Sequence, residues 1–353
     1  MKIGTITFHW ATNYGAVLQS YALQQYLLSQ NIETEIIDYI PARVKLMERI
    51  SWIKNMRFSQ FNKEKYIREF RRNELILSKK RFRNNKELFE RSNKYDYIIT
   101  GSDQVWNKGF TLYAEGKTTL SYFLNFAGDK CGRISYAASF GFDVADADYI
   151  QAVENEISFF SNISVREETG LSILKQLKQS GSVVCDPTLL IDKNIYEQLA
   201  DRSTYSSGKV FPYILHKKQH TAMNVFDTIK MLVCDNTTAD CANKLSVYDW
   251  LKGIRDSDIV VTNSFHAVIF CLIFNTNFIV VPVNGSKMNN RITTILNKVG
   301  LLEHFIETNE RKTIESILNK KIDWEEVDKK VIELQKEGQN FIMNAIGKIE
   351  YNE

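Results

Sequence analysis

The feature that most constrains the fold is a short apolar strand that runs directly into a helix at Asp258–Phe274. Ile259 to Val261 form the continuous apolar run of a strand covered on both faces. Thr262 to Ser264 supply oxygens that cap the following helix. In open α/β sheets, ligands bind at the carboxyl ends of the strands, and helix N-termini attract anions. His266, in the first helical turn, is therefore predicted to face a site for a negatively charged ligand, and a hydrogen-bonded core histidine is the alternative.

The same pattern begins the chain. Residues 1–8 alternate as a strand, residues 9–15 form a turn-rich loop, residues 15–29 have helical spacing, and residues 34–39 are predicted to form a second strand. The first loop contains a single glycine, so it has neither the dinucleotide fingerprint nor the phosphate loop of nucleotide triphosphatases. A Rossmann-like topology here does not imply NAD or ATP.

Two further predicted strands end in polar residues. The strand at 97–99 is followed by Ser102 and Asp103, and Asp103 either acts chemically or caps a helix. The strand at 163–166 ends in Arg166, whose guanidinium suits a bidentate contact to an anion. An ion pair with the two glutamates that follow Arg166 is the structural alternative.

Six blocks of sequence occur in one order along the chain: Phe8–Gln24, Ile99–Asn107, Tyr136–Gly141, Val165–Glu168, Val184–Leu189 and Val261–His266. Together they resemble the polysaccharide pyruvyl transferase family. The resemblance spans roughly residues 1–285. It implies a two-domain fold similar to GT-B glycosyltransferases, with phosphoenolpyruvate as donor and a hexose as acceptor. The product it implies is a cyclic pyruvate ketal that bridges two hydroxyls.

Carried over by motif, the family's phosphoenolpyruvate site falls on Asp103, Arg166, Phe265 and His266. The resemblance implies that Arg166 binds the carboxylate or phosphate, and that His266 donates or relays a proton. It also implies that Asp103 deprotonates a hydroxyl or orients the acceptor, while Phe265 shapes the pocket.

The chain departs from the family at one position of this site. Some members have Arg-Leu-His where this chain has Ser264 before Phe265 and His266, so one positive charge is missing. Arg255, Lys287 and Arg291 are candidates to replace it. Ser102 and Ser264 are expected to contact substrate, and Asn13 and Tyr14 to contact the acceptor.

A length of 353 residues exceeds what a single core usually supports, so two domains are predicted. The predicted boundaries are 1–161 for an N-terminal Rossmann-like acceptor domain, 162–323 for a C-terminal Rossmann-like donor domain, and 324–353 for a helix that returns to the first domain. Strands in the second domain are expected at 163–166, 183–185, 210–215, 230–234, 259–261 and 278–281.

The net charge of +3 conceals a basic insert at residues 41–94, with 17 Lys and Arg against 6 Asp and Glu. The insert also carries many apolar residues, as a basic amphipathic segment would. Such a segment can lie on anionic lipid head groups or bind the diphosphate of a lipid-linked sugar. A solvated helical pair that covers the first domain is the alternative. Nucleic acid is not predicted, because no binding module accompanies the charge.

Composition favours a cytoplasmic enzyme. The basic insert is the candidate segment for peripheral contact with the inner face of the membrane. No apolar run approaches the roughly 20 residues of a membrane span, and the first residues lead into a strand without a signal peptide. The five cysteines are odd in number and are expected to be reduced. Cys234 and Cys241 with His216 and His220 have irregular spacing for zinc, so neither a metal nor a cofactor is predicted.

Two other function classes share this architecture. A GT-B glycosyltransferase would use a nucleotide sugar and would need base and diphosphate contacts in the second domain. A non-catalytic protein that binds a glycan or a lipid carrier would fit the missing arginine. Phosphate release from phosphoenolpyruvate with a panel of lipid-linked or nitrophenyl hexosides separates these three hypotheses.

Overall fold

The computed structural model describes residues 1–42, 58–90, 94–110, 119–215, 220–235, 244–283 and 289–347. The chain forms two compact units. The first unit contains residues 1–57, 68–191 and 334–353, and the second contains residues 58–67 and 192–333. Lys287, His216, Cys241 and much of the basic insert lie outside the described residues.

A six-stranded, entirely parallel sheet forms the centre of the first unit, in the order β2-β1-β3-β4-β5-β6. The chain moves outward from β1 to β2 and then returns to place β3 on the other side of β1. This reversal is the position where open α/β sheets bind ligands. The strands are β1 Lys2–Ile6, β2 Glu33–Ile36, β3 Tyr97–Thr100, β4 Gly132–Ala138, β5 Asn162–Val165 and β6 Ser182–Val183.

A parallel sheet in the order β7-β8-β9 forms the centre of the second unit. Its strands are β7 Val210–Tyr213, β8 Ile259–Thr262 and β9 Asn277–Val280. Every residue of β8 is buried, as predicted for a strand covered on both faces. The α/β class and the two parallel sheets predicted from the sequence are therefore confirmed.

Helices connect the strands of both sheets, as parallel pairing requires. Most have a buried apolar face and an exposed polar face. They are α1 Tyr14–Ser29, α2 Phe58–Glu74, α3 Asn85–Phe89, α4 Ala147–Ile157, α5 Glu168–Gln176, α6 Lys193–Ala200, α7 His220–Val233, α8 Val247–Asp256, α9 Phe265–Phe274, α10 Asn289–Val299, α11 Arg311–Asn319 and α12 Trp324–Ala345. In the part of the chain that the structure describes, no helix is both long and apolar enough to cross a membrane.

The boundary between the units differs from the sequence prediction. Residues 162–165 pair with β4, and Ser182–Val183 then pair with β5, so both strands extend the first sheet. The first unit therefore continues to Ile191. Consequently Arg166 belongs to the same unit as Asp103, whereas the sequence placed it in the second domain.

The strand predicted at 230–234 is also wrong. Those residues end helix α7, which begins at His220 and ends at Val233. Val225, Phe226 and Ile229 of this helix are buried in the core of the second unit. Their spacing places all three on one helical face. This helical period determines the structure more strongly than the short apolar run Met231–Val233, which suggested a strand.

The predicted last helix is present as α12, and its residues from Leu334 onward belong to the first unit. The Tyr26 hydroxyl donates a hydrogen bond to the Gln339 carbonyl at 3.4 Å, and the Gln339 amide donates to the Leu190 carbonyl at 2.9 Å. Phe341 packs against Tyr136 with ring centroids 6.2 Å apart. The C-terminal helix therefore completes the first unit.

Gly338 allows this helix to approach closely. A Cβ atom at Gly338 would lie 2.9 Å from the Cys185 sulfur and nearer still to the Tyr136 hydroxyl, and both of those side chains are buried. We expect Gly338→Val to destabilise the protein by about 1–3 kcal/mol, the usual cost of overpacking, as measured by urea denaturation. Glu337→Ala, on the exposed neighbouring position, should change stability by less than about 0.5 kcal/mol. Equal stability of the two variants would contradict the close packing.

Candidate functional site

Polar side chains converge where the central strands of the first sheet end. The Thr7 hydroxyl, just after β1, donates to the Ser102 carbonyl, just after β3, at 3.0 Å. The Gln19 amide of α1 donates to the Thr7 hydroxyl at 2.9 Å. This network joins β1 and β3 across the point where the strand order reverses, which fixes the loop that carries Asp103.

Arg166 connects three carboxylates at this edge. Its Nη1 donates to the Asp186 Oδ2 at 3.0 Å and to the Ser102 hydroxyl at 3.2 Å. Its Nη2 lies 3.9 Å from the Asp103 Oδ1, and its Nε lies 4.0 Å from the Glu167 Oε2. The nearest carboxylate is therefore that of Asp186, which the sequence interpretation did not consider as a partner of Arg166.

The charge on Arg166 is stabilised by these carboxylates. Burial opposes a charged guanidinium, but Asp186, Asp103 and Glu167 more than offset this and raise the pKa of Arg166 above its ordinary value. Arg166 is 4% exposed, whereas one fifth of the Asp103 side chain is accessible. Asp103 is thus the accessible member of an otherwise buried ionic network.

The backbone at this edge is unusual. Asp103 has a φ of +78°, in a region that side-chain-bearing residues seldom occupy. Ala137 has a φ of +49° where the register between β4 and β5 shifts, and the Ser139 amide donates to the Asp103 carbonyl at 3.0 Å. Such conformations persist where surrounding contacts over-determine them, and they concentrate at functional sites. The Asp103 Oδ1 also accepts from the Gln104 amide at 2.8 Å, so its position is fixed.

Asp186 and Ser102 are buried, and they hold the network together. Asp186 accepts hydrogen bonds from the amide and hydroxyl of Thr188 at 3.1 and 2.8 Å, and the Ser102 hydroxyl donates to its Oδ2 at 3.0 Å. Asp186 lies within the Asp-Pro-Thr block that carried part of the family resemblance. That block was the signal from which its role could have been found.

A second buried charge cluster lies beside the first loop. The His9 Nε2 is 3.1 Å from the Asp38 Oδ1, the Arg81 Nε donates to the Asp38 Oδ2 at 2.8 Å, and the His9 Nδ1 is 3.2 Å from the Thr7 carbonyl. Burial raises the pKa of Asp38, but His9 and Arg81 more than offset this and lower the pKa below its ordinary value. The cluster ties part of the basic insert to the end of β1.

The predicted acceptor residues occupy positions with structural roles. The Asn13 Oδ1 caps helix α1 by accepting from the Gly15 amide at 2.8 Å, and the Tyr14 side chain is fully buried. Trp10 is part-exposed and packs against Phe8 with ring centroids 5.5 Å apart. Phe110, 57% exposed, lies 6.2 Å from the Phe8 ring. The exposed parts of Trp10 and Phe110 give this edge an apolar surface.

In the second unit, Ser264 begins helix α9 as predicted. Its hydroxyl accepts from the Ala267 amide at 3.5 Å, and its own amide donates to the Thr262 hydroxyl at 3.0 Å. His266 is 8% exposed in the first turn of the helix, and its ring lies 5.2 Å from that of Phe265. The strand-to-helix junction thus places His266 at the carboxyl edge of the second sheet.

Two of the three cations considered as replacements for the missing arginine lie in the described residues, and their environments differ. Arg255 is bound in ion pairs at 2.7 Å with both Asp201 and Asp256. Arg291, on α10, is 8% exposed, and its guanidinium lies 5.7 Å from the centre of the Phe265 ring. Of the two candidates in the described residues, Arg291 is therefore the one beside the His266 turn.

The model of the polysaccharide pyruvyl transferase family matches residues 13–285, which is most of the chain. The protein belongs to this family. The matched region includes Asp103, Arg166, Asp186 and His266. No curated protein matches the sequence of this chain.

Two solved structures with a similar fold are UDP-N-acetylglucosamine 2-epimerases of low sequence identity. A putative UDP-N-acetylglucosamine 2-epimerase from Listeria monocytogenes has a TM-score of 0.53 at 11% identity, over 98% of this chain and 95% of its own. The UDP-GlcNAc 2-epimerase from Methanocaldococcus jannaschii has a TM-score of 0.50 at 11% identity, over 98% of this chain and 100% of its own. The GT-B-like fold predicted from the sequence is thereby confirmed.

The described residues contain no group of three or more His, Cys, Asp or Glu side chains arranged to hold a metal ion. Cys131, Cys185 and Cys271 are buried and Cys234 is exposed, and none of these four cysteines forms a disulfide.

Proposed function

We propose that this member of the polysaccharide pyruvyl transferase family transfers the enolpyruvyl group of phosphoenolpyruvate to a hexose of a cell-surface polysaccharide or its lipid-linked precursor. The product is a cyclic pyruvate ketal, and the process releases phosphate. The match of the family model to residues 13–285 carries this proposal. The accessible carboxylate of Asp103, held beside Arg166, supports it, because the acceptor must lose hydroxyl protons.

The reaction needs an acid, a base and cationic groups. A proton adds to the methylene carbon, which becomes the methyl group of the ketal, and a sugar hydroxyl attacks the central carbon. The bond from that carbon to the phosphate oxygen breaks, and a second hydroxyl then attacks the same carbon. The two hydroxyl groups lose one proton each. One proton replaces the proton that was added to the methylene carbon, and the other leaves with the phosphate.

We assign the roles by chemistry. His266 donates or relays the proton to the methylene carbon. Asp103, the accessible carboxylate of its network, accepts a hydroxyl proton or orients the acceptor. Arg166 holds Asp103 in place and provides positive charge toward the carboxylate or phosphate of the donor. Trp10 offers a part-exposed aromatic face to the acceptor sugar, next to the Asn13 and Tyr14 positions.

The test is phosphate release from phosphoenolpyruvate with lipid-linked and nitrophenyl hexosides as acceptors. We expect phosphate release that requires the acceptor, together with a product heavier than the acceptor by one pyruvyl group. Transfer from a UDP-sugar without consumption of phosphoenolpyruvate would favour a glycosyltransferase. Binding of the glycan without turnover of either donor would favour a non-catalytic relative.

We further propose that the basic insert brings the enzyme to a lipid-linked acceptor at a membrane surface. Arg71 donates to the His9 carbonyl and Arg81 pairs with Asp38, so these two arginines hold the insert against the first unit. Arg68, Arg72, Lys79 and Lys80 are exposed.

Replacing the four exposed cations by glutamine should reduce co-sedimentation with anionic vesicles at low salt and raise KM for a lipid-linked acceptor only. The attraction should also weaken with salt, since the Debye length is about 8 Å at 0.15 M. Glutamine at the exposed Lys312, Lys321, Lys329 and Lys336 removes the same charge and should leave vesicle binding intact. Equal losses in the two variants would contradict a specific role for the insert.

A further inference from the structure

Two cations lie on either side of the His266 helix within the second unit. Helix α9 follows β8, the strand that pairs with both β7 and β9. Lys63 lies beside the last residue of β7, and Arg291 belongs to helix α10, which follows β9. Of the two strands that flank β8, β7 therefore has Lys63 beside its end, and β9 is followed by the helix that carries Arg291.

Lys63 comes from the basic insert, far away in sequence. Residues 58–67 pack as part of the second unit, and the Lys63 Nζ lies 5.9 Å from the centre of the Tyr213 ring. Burial lowers the pKa of Lys63 to about 8. The Tyr213 carbonyl accepts from the Thr262 hydroxyl at 2.6 Å, and that hydroxyl accepts from the Ser264 amide at 3.0 Å. The residue whose ring lies beside Lys63 is thus joined by two hydrogen bonds to the cap of α9.

Arg291 is held on the other side by an aromatic face. Its guanidinium lies 5.7 Å from the centre of the Phe265 ring, and only 8% of the residue is exposed. A ring face favours a guanidinium in this position. Phe265 therefore places a buried positive charge next to the helix turn that carries His266.

Asn263 adds an independent sign of a ligand. It is 2% exposed, and its Oδ1 accepts from the Leu215 amide at 2.8 Å, which fixes the orientation of the side-chain amide. Its Nδ2 is buried without a hydrogen-bond partner among the described residues. Burying a donor without a hydrogen-bond partner is unfavourable. An anion bound at the α9 N-terminus would accept a hydrogen bond from the Asn263 Nδ2 and so satisfy this donor.

We propose that Lys63 and Arg291 bind the phosphate of the substrate at the first turn of helix α9, with the Asn263 amide as a neutral third donor. Arg291 takes the place of the arginine that Ser264 lacks, and Lys63 makes part of the insert a component of the donor site. The identity of the phosphate compound rests on the proposed function, whereas the anion site itself does not.

The test measures binding of phosphoenolpyruvate and of inorganic phosphate by calorimetry at pH 7, without acceptor and without turnover. We expect Lys63→Met and Arg291→Met each to weaken binding of both anions by about 10-fold to 100-fold, the range for loss of one charge-assisted contact. Lys209→Met, whose ammonium bonds to the Val233 carbonyl, and Arg255→Gln serve as matched controls and should bind as the wild type does.

Stability gives a second readout for Lys63. Because burial disfavours the charged ammonium, Lys63→Met should not lower the thermal midpoint of the free protein, although it weakens anion binding. A lower midpoint with unchanged binding would mean that Lys63 only supports the fold, and it would overturn the proposal.

The outcomes also separate this inference from the proposed function. If the wild type consumes phosphoenolpyruvate while both methionine variants bind it normally, the anion site is misplaced and the function stands. If the wild type binds a UDP-sugar but no phosphoenolpyruvate, and both variants lose that binding, the anion site stands and the proposed donor is wrong.

Discussion

Replacing His266 by alanine is expected to lower turnover of phosphoenolpyruvate by about two to four orders of magnitude, the usual contribution of a positioned proton donor. The measurement is kcat for phosphate release with a saturating hexoside. Phosphoenolpyruvate should still protect the variant against heat, because His266 acts in the proposed mechanism through its proton and the anion contacts remain.

His304 provides a matched control in the same unit. It is 2% exposed, its Nδ1 donates to the Phe278 carbonyl at 2.9 Å, and burial lowers its pKa below the ordinary value. We expect His304→Ala to lower the thermal midpoint and to leave kcat nearly unchanged. If His266→Ala instead behaves as His304→Ala does, His266 is a core residue and another group supplies the proton.

Arg166→Met is expected to destabilise the protein by about 3–5 kcal/mol, because it leaves a buried carboxylate without its cation. Asp186 is 2% exposed and lies 3.0 Å from the guanidinium. The effect is measured as the free energy of unfolding, taken from the urea-induced unfolding transition of the first unit.

The double variant Arg166→Met/Asp186→Leu tests the cause. Removing both charges should recover much of the lost stability, since apolar pairs often replace buried ion pairs without loss. The alternative outcome is simple additivity, in which Asp186→Leu lowers stability as much in the Arg166→Met background as it does in the wild type. That outcome would contradict the buried pair.

Arg166→Lys separates binding from folding. Lysine keeps the charge but has no planar fork, so most of the stability should remain while a bidentate contact is lost. Phosphoenolpyruvate should therefore protect this variant less than the wild type against heat. Equal protection would show that Arg166 serves only the network of Asp103 and Asp186.

Local pattern predicted the strand-to-helix units well, because apolar runs, capping residues and polar strand ends all agreed. The segment Ile259–Phe274 has the predicted strand, cap and helix, and α1 lies within a residue of its predicted ends. Helix α12 begins at residue 324 as predicted, but it ends at Ala345 instead of running to residue 353. Edge strands were harder. Ser182–Val183 form a strand of two residues, too short for any period, and the unit boundary was therefore placed too early.

The positions of the candidate site residues in the fold were predicted in part. His266 and Ser264 lie where the helix pattern placed them, and Asp103 and Arg166 lie at strand ends 3.9 Å apart. The partners of Arg166 could not be predicted, since Asp186 follows a different strand and its Asp-Pro-Thr sequence also suits an ordinary turn. The contact of Lys63 with Tyr213 could not be predicted either, because the two residues are far apart in the sequence and no local pattern indicates such a contact.

The return of the chain's last helix to the first unit has a consequence for biosynthesis. Residues 1–191 supply all six strands of the first sheet, yet Tyr136 and Leu190 gain their contacts with Phe341 and Gln339 only when the end of the chain has been made. On the ribosome, the first unit therefore waits with an apolar surface uncovered while residues 192–333 are translated. Nascent chains in that state are the ones that associate with each other and with chaperones. A ribosome stalled after residue 333 should hold a first unit that proteases cleave more readily than they cleave the finished protein.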